Sequence, residues 1–266
     1  MRIMLEGNHS GCHAGSAAVW EYLTSLIHTE GFNAASSIVE SDCLIINGEG
    51  SMHDNGGIHK LEMIALAKHL GKQVHFVNSV WQNMACPEVD FIKLCDSVFV
   101  REAISFNEIK SIRPDAKISI DLSYFVRIIK PKTLMRDIAV GGFFNNSLGW
   151  SVKPILLAKG YKDIYIRDSI SWQDYIDKLA VAKLLVTGLH HEAIASMKLR
   201  IPFVAYRGNT DKVLGIIKMS GADIPVANNA EELFFNIDNL PPKKEYDKLF
   251  DFLENEKPFN LKFLRT

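Results

Sequence analysis

The chain has 266 residues, of which 47% are hydrophobic and 23% charged, with 30 Lys and Arg against 31 Asp and Glu. That balance fits a globular protein of two domains and excludes a global basic field for nucleic acid or an anionic membrane, so any anion site must be local. Cys12, Cys43, Cys86 and Cys95 form no CxxC pair, no apolar run approaches the roughly 20 residues of a membrane span, and MRIMLEGNHSG lacks a secretory apolar region. The expectation is therefore a cytoplasmic protein with reduced thiols and no transmembrane segment.

Strand-like apolar runs alternate with helix-period segments from end to end, which points to parallel sheets flanked by helices. The pattern predicts a strand over Arg2–Glu6 and a helix over Gly15–Gly31, with Val19, Trp20, Leu23, Leu26 and Ile27 on one face. A buried strand over Cys43–Ile46 runs into Asn47-Gly48-Glu49-Gly50-Ser51. A helix over Ile58–Leu70 stops at Gly71. Strands over Val74–Val77, Ser97–Val100 and Ile118–Ile120 follow, interleaved with helices over Pro87–Leu94 and Ile104–Ile112. Lys130-Pro131-Lys132 breaks the pattern before a strand at Ile138–Val140, which sets domains at 1–130 and 131–266. A last helix over Lys243–Glu256, after Pro241-Pro242, is expected to cross back to the first domain, by analogy with other two-domain α/β transferases. No internal repeat of 20–50 residues is visible.

The most informative stretch is 181–212. An apolar strand ends in Thr187-Gly188, and His190-His191 open a helix. A second strand, Ile201–Tyr206, ends in Arg207-Gly208-Asn209-Thr210-Asp211-Lys212. Polar turns that leave strands and enter helices bind anions, because helix N-termini offer unpaired N–H groups and a positive dipole end. Arg207, Asn209, Thr210 and Lys212 concentrate donors for phosphate or carboxylate, against the plainer reading of a solvated turn. One of His190 and His191 is expected to face the ligand as a general acid or donor; with HExxH absent, no metal site is expected. Leu189 lies between them and Gly188.

The loop Asn47–Ser51 with His53 places two glycines around a carboxylate, so backbone can approach a ligand while Glu49 and His53 supply acid/base or hydrogen-bonding groups. A tight strand-to-helix turn is the plainer alternative. Asn8–Ser16 resembles an anion loop without matching GxGxxG or the P-loop, and Cys12 within it reads as a small buried residue or as a nucleophile beside His9 or His13. Asn78 and Trp81 fit either a sugar site or the core. Arg101 either reaches a ligand or pairs at the surface. His28, His59, His69 and His75 read as structural.

Taken in order, Gly11-Cys12, Asn47–Ser51 with His53, Val100-Arg101-Glu102 with Ser105, Asp121, Thr187-Gly188 with His191, Pro202-Phe203, and Asn209-Thr210 with Lys212 resemble the polysaccharide pyruvyl transferase family. The resemblance implies two Rossmann-like domains with parallel sheets facing a cleft, as in GT-B glycosyltransferases. It also implies transfer of a pyruvyl group from phosphoenolpyruvate to a sugar of a surface glycan. Carried over, His191 is the general acid or donor contact. Gly188, His190, Arg207, Asn209, Thr210 and Lys212 hold the donor anion, and Glu49 and His53 serve the acceptor. Asn47, Gly48, Gly50, Ser51, Asn78, Arg101 and Asp121 line the acceptor side or cleft. No cofactor or metal is implied. Many family members carry an arginine two positions before the histidine matching His191, where this chain has Leu189. Either Arg207 or Arg167 substitutes, or the donor is a nucleotide-activated sugar; a non-catalytic glycan- or anion-binding relative is the third possibility.

Overall fold

Strand Cys43–Glu49 is buried at all seven positions, as expected of a strand covered by helices on both faces of a parallel sheet. The computed structural model describes residues 1–131, 136–143 and 146–265. The chain forms two compact units: residues 1–9, 20–122 and 258–266, and residues 10–19 and 123–257.

Unit 1 is built from β1 (Arg2–Glu6), most of α1 (Ala14–Thr29), β2 (Asn33–Ala34), β3 (Cys43–Glu49), α2 (Ile58–His69), β4 (Gln73–Ser79), β5 (Ser97–Val100), α3 (Ala103–Ile109) and β6 (Lys117–Ile118). Its six parallel strands are ordered β2-β1-β3-β4-β5-β6. Leu44, Ile46, Val74, Phe76 and Val98 pack beneath Leu61, Ile64 and Ala67 of α2 in one core. The turn after α2 closes on Gly71 at φ 69°, the left-handed residue expected there.

Unit 2 holds β7 (Asp137–Val140), α4 (Asn146–Ala158), β8 (Lys162–Asp163), α5 (Trp172–Leu179), β9 (Ala182–Thr187), α6 (His190–Lys198), β10 (Phe203–Tyr206), α7 (Lys212–Ser220), β11 (Val226–Ala227), α8 (Ala230–Asp238) and α9 (Lys243–Asn255). Its five parallel strands are ordered β11-β10-β9-β7-β8. Ser171 and Asn229 cap α5 and α8 by accepting from the backbone N–H three residues on.

Both sheets therefore follow one scheme: the second strand lies outside the first, and the third begins a run on the opposite side. Each reverses direction once, between β1 and β3 and between β7 and β9. Ligands of open α/β sheets bind at the carboxyl ends beside that reversal.

The structure differs from the sequence expectations in several places. The units divide at 122/123 rather than 130/131, and residues 132–135 of the expected linker lie outside the described residues. Helix α9 stays in unit 2, and it is the short segment after it that joins unit 1. There Tyr22 Oη donates to the Phe259 carbonyl at 2.8 Å, Leu261 N–H donates to Glu30 at 3.0 Å, and Phe263 packs on Phe99 and His75. Residues 87–94 wind as a 3-10 helix opened by Pro87, and the strand expected at 118–120 shrinks to Lys117–Ile118. Cys12 is exposed rather than buried. Trp81 is core, 1% exposed and packed edge-on to Phe76.

Candidate functional site

In unit 1 the polar residues collect where β1, β3 and β4 end. Gly7 takes φ 85° after β1, and a Cβ there would lie 2.2 Å from the Asn47 carbonyl oxygen, so only glycine lets β1 and β3 close up. Asn47 Nδ2 donates to the Gly7 carbonyl (3.0 Å) and to Glu49 (3.4 Å). Asn78 Nδ2 donates to Asn47 Oδ1 (3.1 Å), while Asn78 Oδ1 accepts from Leu122 N–H (3.2 Å). Two buried amides thus fix the ends of neighbouring strands. Glu49 and Asn78 sit at φ 43° and 53°, and the β4–β5 register shifts across Phe76–Ser79. Left-handed non-glycine residues are strained, and they cluster where a side chain must be aimed.

Two buried cations complete this site. Arg101 and Asp121, 1% and 0% exposed, form an ion pair at 2.7 Å. Arg101 is thus a buried group paired inside the unit, not a surface one. Lys60, on α2 and also 1% exposed, donates from Nζ to the carbonyls of Asn47 (2.9 Å) and Gly48 (3.2 Å), to Ser51 Oγ (2.8 Å) and toward His9 Nε2 (3.0 Å). Burial lowers the lysine to about 8, opposed by Glu49 and Glu6. Burial and Lys60 lower His9 as well. Gly48 packs on Ser79, where any Cβ would lie 2.3 Å from the hydroxyl oxygen. His53 Nδ1 lies 3.0 Å from the exposed Asp54 carboxylate.

In unit 2 the reversal between β7 and β9 is organised by Glu192. Its carboxyl group, 0% exposed, accepts from Thr187 Oγ1 (2.5 Å), Gly142 N–H (2.9 Å) and Ile166 N–H (2.9 Å). Thr187 Oγ1 also accepts from Leu189 N–H at 2.9 Å, serving a helix start whose capping residue, Leu189, has no polar side chain. A Cβ on Gly141 would fall 1.9 Å from Glu192, and one on Gly142 would fall 2.5 Å from Tyr165 and 2.6 Å from Leu189. Leu189 therefore packs on a glycine backbone. Burial raises Glu192 to about 7 against the hydrogen bonds that favour its charge. Tyr175, fully buried, is raised well above its usual value by burial and by Glu192.

Beside this lies a shallow, open recess lined by Gly188, His190, Tyr206, Arg207, Thr210 and Lys212 at the ends of β9 and β10 and the start of α7. Arg207 makes two 2.8 Å contacts to Asp211, and Lys212 donates to Asn209 Oδ1 at 2.8 Å. Thr210 Oγ1 is buried in the wall without a hydrogen-bond partner among the described residues. His191 lies next to His190, their rings 5.2 Å apart, and its ring is 4.9 Å from that of His13. Of the expected donor residues, five thus share one recess and Asn209 is tied to it through Lys212, whereas His191 packs against residues 13–15.

Gly15 reports on that packing. A Cβ there would lie 2.5 Å from His191 Cβ and 2.6 Å from Cγ. Glycine to alanine in a helix ordinarily gains up to about 1 kcal/mol. Here overpacking, at about 1–3 kcal/mol, outweighs that gain, so Gly15→Ala is expected to lower the melting temperature. Gly11→Ala, with nothing within 4 Å, is the control and should leave it unchanged.

Sequence reasoning missed Lys60, Glu192 and the Gly141-Gly142 pair. Lys60 carried a signal: it lies on the stripe of Ile64 and Ala67, where a lysine interrupts an apolar face. Glu192 stood in the first turn of a helix whose start was read only for its histidines.

No family model matches the chain, and no curated protein matches it in sequence. Solved structures do. A functionally uncharacterised protein of Klebsiella pneumoniae is similar, with 17% identity over 82% of this chain and 88% of that one, at a TM-score of 0.58. The spinosyn rhamnosyltransferase SpnG is similar with 11% identity over 96% of this chain and 97% of that one, at a TM-score of 0.54. The fold is a pair of Rossmann-like domains of the GT-B-like kind. At these identities the likeness concerns the fold alone. Among the described residues no helix is long and apolar enough to cross a membrane.

Proposed function

We propose that this chain is a group transferase that binds a small phosphate-bearing donor in the unit 2 recess, and that the donor is phosphoenolpyruvate and the acceptor a sugar hydroxyl. The observation that carries the reading is the convergence of Arg207, Lys212 and the buried Thr210 hydroxyl on the N-terminal turn of α7. Guanidinium, ammonium, hydroxyl and helix dipole together suit a compact polyanion. The ordered motifs that resemble those of pyruvyl transferases support phosphoenolpyruvate as that donor.

In this reading Lys212 and the α7 amides hold the phosphate. Arg207 exchanges its partner Asp211 for the donor carboxylate, taking the place of the family arginine at Leu189. His191 delivers the proton that the enol carbon gains when the acceptor oxygen adds to the adjacent carbon, and inorganic phosphate leaves as the ketal closes. Asp211 beside the recess opposes anion binding, so exchange of its ion pair is part of recognition.

The fold shared with a rhamnosyltransferase favours a second reading, a nucleotide-activated sugar as donor. A donor panel with mixed glycan acceptors separates the two: phosphate release from phosphoenolpyruvate supports the first, and nucleotide release refutes it. Lys212→Met is expected to raise the KM for phosphoenolpyruvate at least tenfold in steady-state assays, with a melting temperature near that of the parent. An unchanged KM removes Lys212 from the donor site.

A further inference from the structure

His9 follows β1 and Lys60 sits on α2, and they meet at the reversal between β1 and β3, where open α/β sheets place ligands. Lys60 brings its Nζ within 3.0 Å of His9 Nε2 while 1% exposed, whereas His9 itself is half-buried on a loop at the sheet's carboxyl edge. Lysines so deeply buried are rare, and this one presents its amine to a titratable ring instead of a carboxylate.

We infer that His9 and Lys60 form a single proton-sharing site, which acts as the general base for an acceptor hydroxyl held at the carboxyl edge of the unit 1 sheet. The base role rests on the transferase reading above. With Lys60 charged, its N–H points at the Nε2 lone pair, so the ring proton sits on Nδ1 and that edge is a donor. With Lys60 neutral, Nε2–H donates to the amine and Nδ1 becomes the base. The acceptor O–H bond then breaks with its proton going to Nδ1, while the Nε2 proton passes to Nζ, leaving one neutral histidine and one ammonium. The proton ends on the stronger base, so the histidine edge works with the basicity of an amine.

The surroundings suit this exchange. Burial brings Lys60 to about 8, and Arg101 after β5 presses the same way, while Glu49 on β3 and Glu6 on β1 hold it up. His9 is lowered by burial, Lys60, His59 of α2 and Arg101, against Glu49. A ring kept neutral transfers a proton without storing it. The Asn47 and Gly48 carbonyls and Ser51 hold the amine in place.

Nitrogen-detected NMR of the histidine side chains between pH 6.5 and 9.5, assigned with His9→Asn, tests proton sharing without any substrate. His9 is expected to change from the Nδ1–H to the Nε2–H tautomer with a midpoint near 8, matching the lysine. Lys60→Arg, which keeps the cation but does not titrate in this range, should hold the Nδ1–H form throughout, and Lys60→Met should abolish the midpoint if it folds. A flat response in the parent protein, or an unchanged midpoint in Lys60→Arg, overturns the inference. Phosphate release from phosphoenolpyruvate then tests the base role. The expected kcat rises tenfold per pH unit below 8 in the parent, loses that limb in Lys60→Arg, and falls in His9→Asn with donor KM unchanged. A limb retained in Lys60→Arg refutes the base role. Absence of release in the parent protein refutes the pyruvyl-transfer reading instead, and the tautomer exchange still decides proton sharing.

Discussion

Asp121→Ala is expected to cost about 3–5 kcal/mol of folding stability, the largest single-residue effect in unit 1. Asp121 and Arg101 are 0% and 1% exposed and meet at 2.7 Å. Deleting the carboxylate leaves a guanidinium in low dielectric whose Nε has no hydrogen-bond partner among the described residues. Arginine cannot escape by losing its proton, as a buried lysine can. The unfavourable charge therefore remains, and the folded state bears it. Removing both partners is different. Arg101→Met with Asp121→Leu replaces two desolvated ions by apolar side chains, and most of the loss should be recovered. Urea denaturation at pH 7 with linear extrapolation measures both. A single variant within 1 kcal/mol of the parent would show that the pair is not the anchor described here.

Glu192 should make unit 2 less stable as pH rises from about 4.5 to about 7. Its folded-state value of about 7 lies above the ordinary 4.5. Between those values the folded chain binds a proton that the unfolded chain has released, so stability falls with increasing pH and levels off above 7. A shift of that size corresponds to about 3 kcal/mol. The neutral carboxyl is accommodated because its O–H can donate to Thr187 Oγ1, whose own hydroxyl then donates to the Gly142 carbonyl 3.3 Å away. Glu192→Gln is expected to flatten the pH dependence and to cost about 1–3 kcal/mol, since its NH2 cannot accept from the backbone donors. Glu192→Ala, which orphans two backbone N–H groups and removes the partner of Thr187, is expected to cost about 3–5 kcal/mol. Equal stability of the parent at pH 5 and pH 7.5, after correction with Glu192→Gln, would refute the assignment.

These two carboxylates show why the site was only partly legible. Asp121 was picked out because it ends an apolar run, a local pattern. Its partner Arg101 was picked out for the same reason, yet nothing in the stretch between them says that the two side chains meet. Glu192 was visible only as an acid in a first turn. Its role needs Gly142 and Ile166, respectively 50 and 26 residues away, which only chain folding brings to it. His53 was the opposite case: a histidine near glycines attracts attention, yet its Nδ1 pairs with exposed Asp54.

The sequence by itself determined the layers. Period-two and period-3.6 apolar patterns located most long strands and helices to within a few residues, because burial of one face is a local demand on composition. It also located the ends of β3, β9 and β10 as polar and glycine-bearing, since a strand's carboxyl end must leave the core through residues that satisfy its backbone. Two-residue strands such as β2, β8 and β11 escaped, being too short to carry a period. Tertiary structure alone decided that both sheets share one strand order, that the chain after Lys257 returns to unit 1, and that Lys60 and Glu192 are buried at the two reversals. The reason is physical. A charge inside a protein is tolerated only where distant backbone groups converge on it, and convergence is a property of the fold that no window of sequence contains.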